Sequence, residues 1–214
     1  MGLHTRGAEM HTYLQGRIDA VDEAGYDAIL LGFALCGRGT EGLRAGKTPI
    51  VMPRAHDCIG VLMGGHQAFD SYLQQHLGTY FRSPGWVEFQ NAGIDLEAPF
   101  AMERRQLGER STLKELTDVY GEENAKFLFD QFNAFRQHYK GLTYISLPVA
   151  SDEASRSRAQ AEAAKEGWKF ETVNGSLRLL EQLVNGDWNG TDVLLVPPGA
   201  VIKARPNDTI LEAG

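Results

Sequence analysis

The chain has 214 residues, 43% of them hydrophobic, and a net charge of −7 at neutral pH. That size suffices for one core or two small lobes, and an acidic balance without a basic stripe argues against a nucleic acid partner. No apolar run approaches the roughly 20 residues of a membrane span, the opening Met1 to Met10 lacks the apolar stretch of a secretion signal, and two cysteines cannot make a disulfide framework. A cytoplasmic protein with reduced thiols and no membrane partner is the expectation.

In chain order, the spacing predicts a helix over 9–24, with Leu14, Ile18 and Val21 on one face and Gly25 as its stop. Residues 26–35 are almost continuously apolar, as a strand buried on both faces reads, which points to a parallel sheet covered by helices. Gly37, Gly39 and Gly42 follow, then a second strand over 48–53 and a long helix over 57–77 with Ile59, Leu62, Met63, Phe69, Leu73 and Leu77 as its apolar stripe. Residues 78–110 show no clean period and read as an inserted loop or lid. Arg104, Arg105 and Arg110 lie within it among acidic residues, which is the pattern of a solvated face.

A helical stretch is expected over 111–139, capped by Ser111 and broken at Gly121. Strands over 142–147, 168–173 and 192–196 alternate with helices over 151–166 and 176–185, and the tail after Ala204 reads as frayed. Tyr26-Asp27 before one apolar strand echoes Thr191-Asp192 before another, and each strand ends near a glycine. The expected fold is a single α/β domain over 1–214, with a mainly parallel Rossmann-like sheet and helices on both faces. It admits two similar half-units, with lobes at 1–78 and 111–214 and an inserted loop at 79–110.

The candidate site comes from two segments, each placed where an apolar run stops. They are Leu35-Cys36-Gly37-Arg38-Gly39 and Arg54-Ala55-His56-Asp57-Cys58, and they hold both cysteines of the chain. If the two strands are neighbours, Cys36, His56 and Cys58 converge at one sheet edge. Two thiolates and an imidazole are a soft set suited to zinc or iron, with a fourth position open. Free cysteine also serves as a small buried apolar residue, the bland alternative. Asp57 either orients a ligand and acts as a base, or caps the helix that follows. Arg38 and Arg54 either hold an anionic substrate group or are plain surface charges at strand ends. Gly37 and Gly39 offer backbone donors to a carboxylate or phosphate.

The same residues also suit a metal-free pair of thiols that removes and returns a proton, as in two-thiol racemases. His66, His76 and His138 fit packed or helix-end roles better than ligand roles, and His4 and His11 lie near the start of the chain. Tyr80 and Trp86 fit core packing better than a pocket wall.

The run from Tyr26-Asp27 to Cys36-Gly37, then Pro53-Arg54-Ala55-His56-Asp57-Cys58-Ile59, Gly78-Thr79-Tyr80-Phe81 and Pro84-Gly85-Trp86 resembles the DUF1638 family of bacterial and archaeal proteins. Tyr120-Gly121-Glu122-Glu123-Asn124-Ala125, Gly186-Asp187-Trp188 and Pro197-Pro198-Gly199 agree with it. The resemblance implies occurrence in anaerobes and methanogens and a link to corrinoid-dependent methyl transfer in one-carbon metabolism. It also implies an extra leading strand that this chain, starting at a helix, does not show.

The leading expectation is a metal-dependent enzyme, using zinc or iron, that acts on a small anionic or methylated substrate. Cys36, His56 and Cys58 are the expected ligands, Asp57 the base, and Arg38, Arg54, Gly37 and Gly39 the substrate contacts. Alternatives are the two-thiol racemase and a non-enzymatic metal or corrinoid carrier. A corrinoid protein or a second copy of the chain are the macromolecular partners this reading admits.

Overall fold

A computed structural model describes residues 7–91, 117, 121, 122, 124–126, 138–149, 152–207 and 209–214. The expected helix over 111–139 lies mostly outside the described residues, and residues 92–110 of the expected loop over 78–110 lie outside them. The protein is a mixed α/β chain with small sheets. It divides into two compact units, one of residues 3–72 with 174–214 and one of 73–173. The expected lobes at 1–78 and 111–214 differ from this division, because the C-terminal segment packs with the N-terminal one.

The first unit opens with helix α1 (Gly7–Val21), whose Met10, Leu14 and Ile18 are buried at four-residue spacing. Strand β1 (Ile29–Leu30) pairs in parallel with β2 (Ile50–Pro53), aligning Ile29 with Ile50 and Leu30 with Val51. Strand β6 (Val193–Val196) pairs with the other edge of β2, and it runs antiparallel, with Ile50 opposite Val196 and Pro53 opposite Val193. Successive residues of β2 serve opposite faces, as pleating requires. Ile50 and Met52 join Leu14, Ile18, Leu194 and Val196 in the main core. Val51 joins Val193 and Leu183 of helix α6 (Arg178–Asn185) in a smaller one.

The mainly parallel, Rossmann-like sheet is therefore corrected to separate small sheets, of which this one is mixed. The echo between Tyr26-Asp27 and Thr191-Asp192 does not mark two facing half-units. Their strands flank the same β2, one parallel and one antiparallel. The expected strand over 26–35 keeps ladder pairing only at Ile29–Leu30, although single bonds continue beyond it.

The expected helix over 57–77 is two helices, α2 (Cys58–Leu62) and α3 (His66–Gln75). Gly64 and Gly65 separate them at φ +87° and +138°, conformations that a side chain disfavours. Leu77, expected in the apolar stripe, is 80% exposed. The tail is not frayed: β7 (Ile202–Ala204) and β8 (Leu211–Ala213) form an antiparallel hairpin with Ile202 and Leu211 fully buried.

The second unit holds an all-parallel sheet of β3 (Thr79–Arg82), β4 (Gly141–Ser146) and β5 (Lys169–Asn174), with β4 in the middle. The expected lid thus begins with a strand, followed by helix α4 (Pro84–Asn91). Helix α5 (Glu153–Glu166) connects β4 to β5 and buries Ser155, Ala159 and Ala163. These small side chains at four-residue spacing let the helix lie close to Leu142 and Tyr144 of the central strand. Among the described residues no helix is long and apolar enough to cross a membrane.

Candidate functional site

Past the end of the β1–β2 ladder the two segments stay in register through single backbone bonds. Leu31 N–H donates to Val51 O at 2.8 Å, Leu35 N–H to Ala55 O at 3.0 Å and Cys36 N–H to His56 O at 2.9 Å. The Leu-Cys-Gly and His-Asp-Cys motifs therefore lie side by side. Asp57 has an extended backbone and its Oδ1 accepts from Gly60 N–H at 3.0 Å, which starts α2 at Cys58. That turn places Cys58 two residues beyond the carbonyl that accepts from Cys36 N–H.

Cys36 is 7% exposed and belongs to the main core, whereas Cys58 is half-buried. Burial pushes the Cys36 thiol up; the amides of Ala34 and Cys58 oppose this and the Asp57 carboxylate adds to it. Cys58 is pushed up to about 12, by burial first, then by the nearby Cys36 and Asp57, against its own and the Ile59 amides. Burial thus favours the protonated form of both thiols at neutral pH, and each must give up its proton before it binds a cation or attacks a disulfide.

The turn that carries Cys36 is strained. Cys36, Gly37 and Arg38 are three successive left-handed residues, at φ +47°, +62° and +68°. Only the glycine takes this conformation freely, and each of the others costs about 1–3 kcal/mol. The surroundings hold the turn in place. Gly39 N–H donates back to Cys36 O at 3.1 Å, and the buried Thr40 hydroxyl donates to Ala34 O at 3.1 Å. A side chain at Gly39 would stand 2.7 Å from the Met10 sulfur of α1. Gly39 is thus needed for close packing, and its amide serves the turn itself.

The remaining expected residues have other partners. His56 is exposed, and it is its backbone carbonyl that meets Cys36. Arg38 forms a two-point contact with Glu41, at 2.6 and 2.8 Å, with its side chain 69% exposed. The Arg54 guanidinium donates to Val193 O at 3.3 Å, to Thr209 O at 3.4 Å and to Leu211 O, and the Arg54 amide donates to Asp192 O at 2.7 Å. Arg54 therefore fastens the site segment to β6 and the hairpin.

Among the described residues no three His, Cys, Asp or Glu side chains are grouped to hold a metal ion. Of the expected set, Cys36 and Cys58 lie on adjoining segments and the His56 side chain beside them is exposed. Asp57 spends one carboxylate oxygen on its helix.

Sequence reasoning missed Thr40 and Glu41. Glu41 receives Arg38, its Oε1 accepts from Ala204 N–H at 3.4 Å, and its carbonyl meets the His11 ring at 3.0 Å. A carboxylate three residues after Arg38 in a glycine-rich stretch was the available signal. His66 begins α3 with a buried Nδ1 that has no hydrogen-bond partner among the described residues. In the second unit, His76 lies 3.4 Å from Glu171, and Tyr80 packs against Tyr139 and Trp168 with centroids 5.1 and 5.6 Å away.

The family model of DUF1638, described as a protein of unknown function, matches residues 1–184, so the chain belongs to this family. No curated protein and no solved structure matches it. Both site motifs fall inside the match. The carbonyls of Asp192, Val193, Thr209 and Leu211 that hold Arg54 fall outside it.

Proposed function

We propose that this protein holds a soft metal ion, zinc or iron, on the Cys36 and Cys58 thiolates and uses it on a small anionic or methylated substrate. One observation carries the reading: the only two cysteines of the chain, 22 residues apart (58 minus 36), sit on adjoining segments joined by the bond from Cys36 N–H to His56 O, two residues before Cys58. The donor chemistry fits, since paired thiolates select zinc and iron over hard cations. The His56 ring, two residues before Cys58 and exposed, is the third candidate ligand. Bound there, the metal supplies Lewis acidity to a substrate group. Binding would exchange the thiol protons for the cation, so uptake should strengthen as pH rises.

Around the ion, the residues of this chain divide the work. Asp57 fixes the start of α2 and with it the place of Cys58. Arg54 anchors the segment from behind. Arg38, exposed and held by Glu41 among the described residues, is the better placed arginine to meet an anionic substrate group. One-carbon substrates, with a corrinoid protein as methyl donor or acceptor, are the first to screen, and the reduced thiols suit the cytoplasm. A two-thiol racemase has less support. Proton exchange at one carbon needs thiols on its opposite faces, and these two lie side by side. A metal or corrinoid carrier differs by binding without turnover.

The test is elemental analysis of anaerobically purified protein beside the Cys36→Ser, Cys58→Ser double variant. Near-stoichiometric zinc or iron, lost in the variant, supports the reading. Metal-free protein in both, after incubation with either ion, overturns it.

A further inference from the structure

We propose that Cys36 and Cys58 also form a reversible intramolecular disulfide by exchange with a small disulfide, and that the oxidised site no longer takes up metal. This rests on the cysteine pairing behind the metal reading but not on the metal itself. The backbone argument is independent of charge. Two bonds, Leu35 N–H to Ala55 O and Cys36 N–H to His56 O, hold the segments at the spacing of paired strands. The Asp57 cap then turns the chain into α2 at Cys58, two residues past that bond. A disulfide needs Cα atoms within about 4.4–6.8 Å, and Cys58 directly follows Asp57, the residue that the bond from Cys36 N–H to His56 O sets opposite Cys36 in the parallel pattern. Both cysteines are free, and the chain has no third thiol to compete.

The two cysteines differ in cover, and this sets the order of events. Cys58 is half-buried and Cys36 is 7% exposed. Cys58 loses its proton to water and attacks one sulfur of the small disulfide. The S–S bond breaks, a mixed disulfide forms at Cys58, and the first small thiolate leaves and takes up a proton. Cys36 then loses its proton and attacks the Cys58 sulfur, expelling the second small thiolate, which is protonated in turn. The protein loses two electrons and two protons, and the small disulfide becomes two thiols. With both sulfurs joined, no thiolate remains for a cation.

The experiment incubates reduced, metal-stripped full-length protein with oxidised glutathione and reads the product by mass spectrometry of the intact chain and its peptides. The expected product is lighter by two hydrogens, joins the Cys36 and Cys58 peptides, and reverts with dithiothreitol. In Cys36→Ser, shown to be folded by circular dichroism, the glutathione adduct should persist on Cys58. Stable glutathione adducts in the native protein, or thiols that stay reduced where the urea-unfolded chain oxidises, would overturn the inference. Zinc uptake by the reduced protein without disulfide formation leaves the metal reading intact and removes only this one. A disulfide that forms in a protein unable to bind metal supports the exchange and overturns the metal reading.

Discussion

Two arginines, one in each unit, show how differently the units are held together. In the second unit Arg82, its side chain 4% exposed, makes a two-point contact with Glu162 at 2.7 and 2.9 Å and lies 4.4 Å from the Tyr80 ring centre. There a regular strand faces a regular helix, and charge meets charge across the layer. In the first unit Arg54 meets backbone carbonyls instead, at Val193, Thr209 and Leu211. Those carbonyls belong to strand ends and to a hairpin turn, where ladders have stopped. The regular unit closes a buried ion pair, while the irregular unit uses an arginine to satisfy open backbone beside a strained turn. Strain and irregular backbone gather at functional positions more often than in ordinary packing, and here they gather around Cys36.

Four outcomes would break or sharpen that contrast. The largest is expected in the second unit. Glu162→Gln leaves Arg82 buried without its counter-charge and should cost about 3–5 kcal/mol, read as a lower urea midpoint. A near-neutral result would mean the pair is no more than a surface contact. Next, Arg54→Lys keeps the charge but loses the planar fork, and should cost about 1–3 kcal/mol. Amide hydrogen exchange should accelerate in the 202–213 hairpin and in β6, not at β4; uniform acceleration would contradict the anchoring role.

A smaller effect follows from Asp57→Ala, which removes the cap of α2 and should cost about 1 kcal/mol. Asp57→Asn should restore most of this, since its side-chain oxygen can still accept from Gly60; failure to do so would point to a role for the charge itself.

The smallest effect is alkaline. Cys58 is raised from 9.0 to about 12, so the stability tied to its neutral form is complete below pH 9 and is lost as pH climbs toward 12. Near pH 9.5 the loss is under about 1 kcal/mol. Tyr144, raised by burial first and then by Asp152 from 10.0 to about 12, acts in the same direction from pH 10 upward. Denaturation followed against pH should therefore show a shallower alkaline decline in Cys58→Ser below pH 10, and no change there in Tyr144→Phe. Identical declines in Cys58→Ser and the native protein would place this thiol in a more solvated setting.

What was legible in the sequence follows the same divide. The segment Ile50 to Pro53 reads as a strand because it is apolar, β-branched and closed by proline, and the structure has it there. The adjacency of the two cysteine motifs follows from setting one apolar run beside the next. Strand direction was not legible: Val193-Leu194-Leu195-Val196 has the same pattern run either way, and only the bond from Arg54 N–H to Asp192 O and the β2 register show it antiparallel. The hairpin was missed because Ile202-Lys203-Ala204 and Leu211-Glu212-Ala213 are too short to display a period. Gly64-Gly65 announced a break that the apolar spacing across it concealed. At the site, residue types suggested a three-ligand set. They could not show that His56 meets Cys36 through its carbonyl, that Arg54 faces carbonyls, or that Cys36 and Arg38 take left-handed backbones.

The measurement that bears most directly on the account is X-ray absorption at the zinc edge of protein reduced and loaded with one equivalent of zinc. The account predicts two sulfur scatterers at about 2.3 Å, both absent in the Cys36→Ser, Cys58→Ser variant. A shell of oxygen and nitrogen alone in the native protein would contradict it.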